Sequence, residues 1–236
     1  LPYSVDGAQP WQDIVTREAA VMQDGAALLD LTPFTKIDVS GPDALALLNH
    51  LAAAQIDVAI GRAVYTPLLN ARGGIEADVT ITRLGEHVFR LVSGAATRRR
   101  DLALLRRAAR GRQVAIADRT EDFCIIGVMG AAARSLLTGL TREDWRDFTF
   151  STARSVTLAG VPCIATRISY VGELGWEITV DSARAGEVFD ALIAAGAKPM
   201  GHYALNACRI EKGFRHWGHD MGPEITPLEA GLGFTI

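Results

Sequence analysis

Residues 75–82 alternate at every step between apolar and polar side chains, in the order Ile-Glu-Ala-Asp-Val-Thr-Ile-Thr. Successive side chains of a β-strand point to opposite faces of the sheet, so this pattern predicts a strand with one apolar and one polar face. A Gly73-Gly74 turn precedes the strand, and a turn at Gly85 follows it. We therefore predict a block of three strands joined by tight turns, over 63–69, 75–84 and 87–93.

The rest of the chain mixes helical and strand patterns irregularly. Its helical stretches are predicted at 11–29, from 40–43 to about 53, 97–107, 130–140, 182–195 and 203–212. Further strands are predicted at 36–39, from about 114, and at 123–129, 156–158, 161–170 and 176–180. Strands paired through short turns predict an α+β fold with antiparallel sheets rather than a doubly wound parallel sheet.

Composition excludes several classes of protein. The chain has 236 residues, of which 49% are hydrophobic and 22% charged, and its formal net charge is −3. These values are typical of a soluble globular protein with an ample core, not of a disordered chain. No apolar run approaches the roughly 20 residues of a membrane helix, and the near-neutral charge argues against nucleic acid as a partner. Residues 1–9 lack the order of a signal peptide.

The cysteines and histidines do not form a metal-binding pattern. Cys124, Cys163 and Cys208 are far apart and lie in apolar stretches, which favours small buried side chains over a disulfide or zinc site. No paired histidines at helical spacing are present, so no metal is expected. The sequence also lacks the glycine-rich fingerprint of dinucleotide binding, the nucleotide P-loop and the serine-hydrolase elbow. A reducing compartment, cytoplasm or mitochondrial matrix, is the expected location.

Two segments carry residues suited to chemistry. Asp78 shares the polar face of the 75–82 strand, where it is solvated if that face is open. If the face is covered, Asp78 can stabilise a cation or accept a proton. Residues 167–178 form the second segment, in which Tyr170 leads into an acidic turn and Glu177 lies on the return strand. This is either an ordinary hairpin with a solvated tip or a carboxylate placed to accept from the N–H groups of a heterocycle.

Arginines are concentrated in residues 98–112, interrupted by leucines. On a helix they form a solvated basic face, with a partner surface or a dock for a polyanionic tail as the alternative. They are Arg98, Arg99, Arg100, Arg106, Arg107, Arg110 and Arg112.

Several segments, in order, resemble one protein family. Residues 65–78 (YTPLLNARGGIEAD) and 170–177 (YVGELGWE) are similar to the M-L-N-x-x-G-G-x-x-x-D and Y-x-G-E-x-G-x-E segments of folate-binding aminomethyltransferases. These are the T-protein of the glycine cleavage system and its relatives. Residues 30–36, 204–220 and 226–232 resemble the opening strand and the closing signature of the same domain. The form RIEKGFRHWGHD at 209–220 is most similar to the carboxy-terminal portions of dimethylglycine and sarcosine dehydrogenases.

The resemblance implies one aminomethyltransferase domain over residues 1–236. Its fold is α+β, with two intertwined lobes and antiparallel sheets around a central folate channel. The smaller, β-rich lobe is expected to centre on about residues 55–115. The family normally continues into a small C-terminal β-barrel domain, and we expect this chain to lack it because residue 236 falls where that domain would begin.

The resemblance also implies roles for particular residues. Asp78 matches the catalytic carboxylate, Glu177 the carboxylate that pairs with the pterin ring, and Tyr170 the aromatic residue beside that ring. The remaining expected cofactor-binding residues are Tyr65, Thr66, Leu69, Ser93, Gly94, Arg167 and Glu173.

The implied activity is tetrahydrofolate-dependent one-carbon transfer. The carbon of a small N-methylated amine, or of its iminium, would be captured as 5,10-methylenetetrahydrofolate. FAD would reside only on a separate oxidoreductase domain or subunit, since this sequence has no flavin fingerprint. Two alternatives stay open: a non-catalytic folate-binding or scaffold module, and a folate-dependent O- or S-demethylase.

Overall fold

A computed structural model of the chain describes residues 11–236, so the segment that lacks signal-peptide order lies outside the described residues. The helices are α1 (Trp11–Asp24), α2 (Ala44–Leu51), α3 (Arg98–Ala108), α4 (Ala133–Thr138), α5 (Ala185–Ala194) and α6 (His202–Glu211). The strands are β1 (Ala27–Asp30), β2 (Thr35–Ser40), β3 (Ala63–Leu69), β4 (Ile75–Gly85), β5 (Val88–Ser93), β6 (Ala115–Asp118), β7 (Phe123–Met129), β8 (Ala153–Leu158), β9 (Val161–Thr166), β10 (Gly175–Asp181) and β11 (Lys198–Met200). Single turns of 3-10 helix occur at Ala95–Thr97, Ser182–Arg184 and Gly233–Thr235.

The described residues divide into two compact units. The first unit comprises 11–32, 124–150 and 154–214. Its sheet has the strand order β11-β1-β7-β10-β9-β8, in which β1 runs parallel to β11 and antiparallel to β7. The core of this unit contains three aromatic side chains in mutual contact, with the rings of Trp145 and Trp176 edge-on at 5.2 Å. Phe148 lies 5.4 Å from Trp145.

The second unit comprises 33–123, 151–153 and 215–236. Its five-stranded sheet has the order β3-β4-β5-β2-β6, and each neighbouring pair is antiparallel. The apolar face of β4 is buried together with leucines of α2 and α3, as the alternation in 75–82 requires. The core of this unit includes Ile37, Val39, Leu47, Leu48, Val79, Ile81, Phe89, Leu91, Leu102 and Leu105.

The predicted α+β class with antiparallel sheets is confirmed, while the folate channel and the lobe boundaries stay predictions. The predicted strands 63–69 and 123–129 have the observed bounds. The predicted helix over 11–29 is wrong at its end, because α1 stops at Asp24 and residues 27–30 form β1. Residues 26–29 are all buried, as a central strand requires, and a helix with one exposed face cannot bury four consecutive side chains.

Two further boundaries differ from the prediction. The strand predicted over 161–170 ends at Thr166, and the helix predicted over 130–140 is confined to Ala133–Thr138. The short strand β11 was not predicted, because three residues containing a proline carry no strand pattern. Within residues 11–236, no helix has the length and apolar character that crossing a membrane requires.

Candidate functional site

Strands β3 and β4 place Tyr65 and Asp78 on the same face of the second unit's sheet. Tyr65 pairs with Thr80 and Pro67 with Asp78, and paired residues of an antiparallel ladder share a face. The Tyr65 hydroxyl donates a hydrogen bond to the Asp78 carboxylate. The sheet register therefore brings together two of the residues expected in the site.

Asn70 fixes the turn that leads into β4. Its Oδ1 accepts hydrogen bonds from the backbone N–H of Arg72 (2.9 Å) and of Gly74 (3.0 Å). Its Nδ2 donates to the carbonyl of Pro223 (2.9 Å). A side chain at position 74 would collide with that same carbonyl, so glycine is required there. The turn holds the start of β4, and with it Asp78, at a defined position.

The Asp78 carboxyl is held in a desolvated environment. The residue is half-buried, and its Oδ1 is buried without a hydrogen-bond partner among the described residues. Burial raises the pKa of Asp78 to about 6, the Tyr65 hydrogen bond opposes this rise, and the negative charge of Asp101 adds to it. A carboxyl with such a pKa can donate or accept a proton near neutral pH.

Ser93 is the last residue of β5, where it pairs with Val79 of β4, and Gly94 follows the strand. The Ser93 hydroxyl lies 2.6 Å from Oδ2 of Asp101, and the Thr97 hydroxyl lies 2.6 Å from the same oxygen. Gly94 has an ordinary extended backbone, and a Cβ added there would meet nothing within 4 Å. The Ser93 side chain is thus engaged with the buried Asp101 carboxylate, and there is open space next to the Cα of Gly94.

The other predicted residues of β3 face different surroundings. Thr66 is wholly buried, and its hydroxyl accepts a hydrogen bond from the backbone N–H of Ala54 at 3.0 Å. Leu69 packs against a small cluster that includes Ile75 and Met221. Both side chains therefore support the second unit's own packing, and their roles toward a cofactor stay predictions.

Sequence reasoning missed a group of residues on the polar face of β4. Arg100 donates a hydrogen bond to Glu76, which holds the pKa of that carboxyl below its usual range. The Arg100 guanidinium also lies 4.5 Å from the centre of the Trp217 ring. The indole N–H of Trp217 in turn donates a hydrogen bond to the carbonyl of Ile75 (2.9 Å). Asp101 was also missed, because the sequence shows it only as one acid in the first turn of the arginine-rich helix, four residues after Thr97.

The basic face predicted for α3 is present. Two of its arginines are not free for a partner: Arg98 forms an ion pair with Asp118 at 2.8 Å, and Arg100 forms one with Glu76, both within the second unit. The other arginines of residues 98–112 are exposed: Arg99, Arg106 and Arg107 on α3, and Arg110 and Arg112 after its end.

Glu177 of the first unit, which the sequence predicts as a site residue, is a buried acid. It lies on β10 opposite Thr166 of β9, and only 7% of the residue is exposed. Burial alone raises the pKa of Glu177 to about 7. Burying a carboxyl costs free energy unless it is paired, so a side chain in this state is a candidate functional group.

The loop between β9 and β10 holds the remaining predicted residues. The Tyr170 ring stacks on Phe214, with centroids 6.3 Å apart. Glu173 pairs with Lys212 at 2.8 Å. Arg167 donates to the carbonyl of Phe148 at 2.6 Å, and its guanidinium lies 5.8 Å from the Trp176 ring. Arg167 and Glu173 are thus engaged within the first unit.

The predicted site residues fall into two sets, one in each unit. Asp78, Tyr65, Thr66, Leu69, Ser93 and Gly94 belong to the second unit, and Glu177, Tyr170, Arg167 and Glu173 to the first. In residues 11–236, no cluster of histidine, cysteine and acidic residues has the arrangement of a metal site.

The sequence profile of the GCVT N-terminal domain matches residues 2–236. The chain belongs to the GCVT family. This GCVT chain is 44% identical over 236 residues to 4-methylaminobutanoate oxidase (formaldehyde-forming) of Paenarthrobacter nicotinovorans, covering 98% of the chain and 29% of the oxidase. It is 35% identical to mitochondrial dimethylglycine dehydrogenase of Mus musculus, covering 96% of the chain and 27% of that enzyme.

The GCVT chain also resembles proteins without an oxidoreductase name. It is 35% identical to an aminomethyltransferase of Stenotrophomonas maltophilia, with 94% of the chain and 60% of the relative covered. The crystal structure of glycine cleavage system aminomethyltransferase T from Bartonella henselae matches with a TM-score of 0.85 and 27% identity, over 94% of this chain and 60% of that one. The chain thus spans less than two thirds of each of these relatives.

Proposed function

We propose that this GCVT chain binds tetrahydrofolate and catalyses the transfer of a one-carbon unit to it. Asp78 is the catalytic carboxyl, and Glu177 and Tyr170 hold the pterin ring. The observation that carries the proposal is the Asp78 carboxyl, which accepts a hydrogen bond from Tyr65 and has a buried oxygen without a partner among residues 11–236. Family membership supports the choice of folate.

The residues present fit a ligand rich in N–H groups. Oδ1 of Asp78 is a buried acceptor without a hydrogen-bond partner among the described residues, and the Glu177 carboxyl is an acceptor whose pKa is raised by burial. A carboxylate that accepts two parallel N–H bonds from a heterocycle recovers the free energy lost by burial. A pterin ring presents such donors side by side, and Tyr170 offers an aromatic face beside them.

The chemistry of Asp78 follows from its environment. Bound tetrahydrofolate would supply a nucleophilic ring nitrogen that accepts the one-carbon unit. The ionised Asp78 carboxylate stabilises a cationic carbon on the donor, because a fixed negative charge acts strongly where water is excluded. Its pKa of about 6 lets the same carboxyl take up a proton released near it. The Tyr65 hydroxyl keeps the carboxylate oriented.

The donor in this proposal is a small N-methylated amine or its iminium. Two relatives support an N-methyl donor, the 4-methylaminobutanoate oxidase and the dimethylglycine dehydrogenase. Oxidation of the amine is assigned to a flavin-containing domain or subunit outside these 236 residues. We place the protein in the cytoplasm or, as with the mitochondrial relatives, in the mitochondrial matrix.

The test is formation of 5,10-methylenetetrahydrofolate from tetrahydrofolate and formaldehyde, or from an amine oxidised by an added flavin dehydrogenase. The rate with wild type is expected to exceed the uncatalysed rate. In Asp78→Asn, the rate above the uncatalysed background is expected to fall by at least about 100-fold. Asp57→Asn, which removes an exposed acid from the same unit, serves as the matched control. Equal rates for wild type and Asp78→Asn, with folate still bound, would favour a passive folate-binding module.

A further inference from the structure

Three buried N–H groups of the first unit lack a hydrogen-bond acceptor among residues 11–236. They are the indole N–H groups of Trp145 and Trp176 and the Nε–H of Arg134. The two tryptophans are 1% and 0% exposed. A buried donor that loses its hydrogen bonds to water and gains none in the protein raises the free energy of the folded state. These three donors therefore need an acceptor from outside the protein.

The unpartnered donors lie around one aromatic ring. The Trp145 and Trp176 rings meet edge-on, with centroids 5.2 Å apart. The Arg134 guanidinium lies 5.9 Å from the centre of the Trp176 ring, and the Arg167 guanidinium lies 5.8 Å from the same centre. We call these four side chains the donor cluster: Trp145, Trp176, Arg134 and Arg167. Within residues 11–236, every buried unpartnered donor of the first unit belongs to this cluster.

The two guanidinium groups of the donor cluster bring positive charge without a counter-charge. The Arg134 guanidinium forms no hydrogen bond or ion pair with any of the described residues. Arg167 donates to a neutral acceptor, the carbonyl of Phe148, at 2.6 Å. Burial and the positive charge of Arg134 both lower the pKa of Arg167, as expected for a like charge close by. The two groups therefore repel each other.

Acidic side chains next to Trp145 in the sequence do not compensate this charge. Residues 143–147 contain three acids. Glu143 accepts a hydrogen bond from the backbone N–H of Thr157 at 3.1 Å, and Asp144 forms an ion pair with Arg146 at 2.8 Å. In the part of the chain that the structure describes, no carboxylate forms an ion pair with either guanidinium of the donor cluster. The positive charge of the cluster stays uncompensated by the protein.

The donor cluster lies on the opposite face of the sheet from Glu177. Trp176 and Glu177 are consecutive residues of β10, so their side chains point to opposite faces, and that of Trp176 belongs to the apolar core. Glu177 pairs with Thr166, and Arg167 follows Thr166 directly. The contact of Arg167 with the Trp176 ring agrees with this alternation. The cluster is thus separate from the carboxyl assigned to the pterin ring.

We propose that the donor cluster binds a small oxyanion, a carboxylate or a phosphate group. The oxygens of such an anion accept hydrogen bonds from the unpartnered N–H groups, and its negative charge offsets the repulsion between the guanidiniums. A guanidinium presents its N–H groups in a planar fork that matches carboxylate and phosphate oxygens. A water molecule would supply an acceptor but no counter-charge, so an anion meets both requirements.

The exposure of the four side chains is suited to an anion that enters from solvent. Both arginines are partly exposed, whereas both tryptophans are buried. An approaching anion therefore meets the positive charges first, and these attract it. Because the cluster is assembled only in the folded chain, a bound anion also stabilises the fold, and the midpoint of unfolding rises with the anion concentration.

The direct test is a titration of the ¹⁵N-labelled full chain with sodium phosphate and, separately, with sodium acetate, at an ionic strength held constant with sodium chloride. Each of the four tryptophans gives one indole N–H signal. Trp11→Phe and Trp217→Phe identify two of these signals, so the other two belong to Trp145 and Trp176. These two are expected to shift with at least one anion and to saturate, with a half-saturation concentration on the order of 1 mM. The signals of Trp11 and Trp217 are expected to stay in place.

Arg134→Gln is the decisive variant, since it removes one charge and its fork of donors. The half-saturation concentration is expected to rise at least about tenfold. Arg184→Gln is the matched control, because Arg184 is an arginine of the same unit whose charge is already paired with Glu187. This control should stay within about twofold of wild type. If Arg134→Gln does not fold, Arg134→Lys takes its place, and the loss of the planar fork is expected to weaken binding about threefold or more.

Three outcomes overturn the proposal. The first is the absence of a saturable shift of the Trp145 and Trp176 signals with both anions up to about 20 mM, which means that the donors are met by water. The second is equal affinity of wild type and the Arg134 variant, and the third is an equal shift of all four indole signals. Either of these two results indicates an adventitious ion only. Because the titration contains no folate, failure of folate binding is a separate result.

Discussion

At the scale of single residues, burial separates the acids that define the candidate site from those that stabilise the fold. Glu173 and Glu76 have cationic partners, Lys212 and Arg100. For Asp78 and Glu177, burial is the largest influence, and it raises the pKa of both. The sequence alternation placed Asp78 on the polar face, but alternation does not report whether that face is covered, so its desolvation was not predictable from the pattern.

Replacing Glu177 by glutamine is expected to stabilise the folded chain, increasingly so as pH rises. The pKa of Glu177 is raised from 4.5 to about 7, so its contribution is fully present below about pH 4.5 and is lost as pH rises through 7. Glu177→Gln avoids this loss and should be more stable than wild type by about 3 kcal/mol above pH 7, with little difference below pH 4.5. Urea denaturation of both proteins across this range measures the difference.

Glu187→Gln is the matched control for this prediction. Glu187 is paired with Arg184 on the surface, which lowers its pKa, so its replacement should give no stabilisation that grows with pH. A constant difference between Glu177→Gln and wild type from pH 4 to 8 would contradict the assigned environment of Glu177.

A substitution at Gly94 can test whether the ligand lies next to this residue without disturbing the fold. Its φ of −60° and ψ of 144° are accessible to any residue, and a Cβ would meet no neighbour. Gly94→Val is therefore expected to change the free energy of unfolding by less than about 0.5 kcal/mol but to weaken folate binding about tenfold. Gly186→Ala, at another open position, controls for the added side chain and should bind normally. Undiminished folate affinity in Gly94→Val would remove Gly94 from the site.

At the scale of elements, the turn between β3 and β4 shows why the motif around Asn70 has its particular residues. Asn70 bonds two backbone N–H groups and one distant carbonyl, and Gly74 permits the approach of that carbonyl. The spacing of Asn70, Gly74 and Asp78 thus specifies a turn followed by a strand, with the Asp78 carboxyl at a fixed distance along the strand from the turn.

Asn70→Ala is expected to destabilise the chain by about 2 kcal/mol, because several hydrogen bonds in a half-buried turn are lost together. The free energy of unfolding in urea provides the measurement. Asn49→Ala is the comparison, since Asn49 accepts a single backbone hydrogen bond, from Ile56 at 2.7 Å, and should cost about 1 kcal/mol. If the two substitutions cost the same, the turn does not depend on Asn70 as described.

The strand block could be predicted from sequence because its signals are local. Period-two alternation and glycine turns fixed β3 and β4, and residues 123–129 form a continuous apolar run that became β7. Strand β1 could not be predicted in this way, since its apolar residues continue the helical stripe of α1. Its partners, β7 and β11, are distant in sequence, so tertiary pairing overrides the local helical pattern.

At the scale of the whole molecule, the segments of each unit come from separate stretches of the chain. The closing segment 215–236 belongs to the second unit, where Trp217 binds Ile75 and the Phe234 ring stacks on Tyr65 at 6.2 Å. The family-like segment 65–78 and residues 215–232 of the closing segment therefore belong to the same unit. Asp101 lies outside these motifs, which is why neither pattern nor resemblance indicated it.

Tetrahydrofolate binding by this chain is measured most directly by anaerobic titration calorimetry near pH 7.5. Wild type is expected to bind in the micromolar range. Glu177→Gln should bind at least about tenfold more weakly, because a neutral amide cannot accept two N–H bonds as a carboxylate does. Glu187→Gln should match wild type. Absence of binding by wild type, or equal affinity of Glu177→Gln and wild type, would contradict the assignment of a folate site that depends on Glu177.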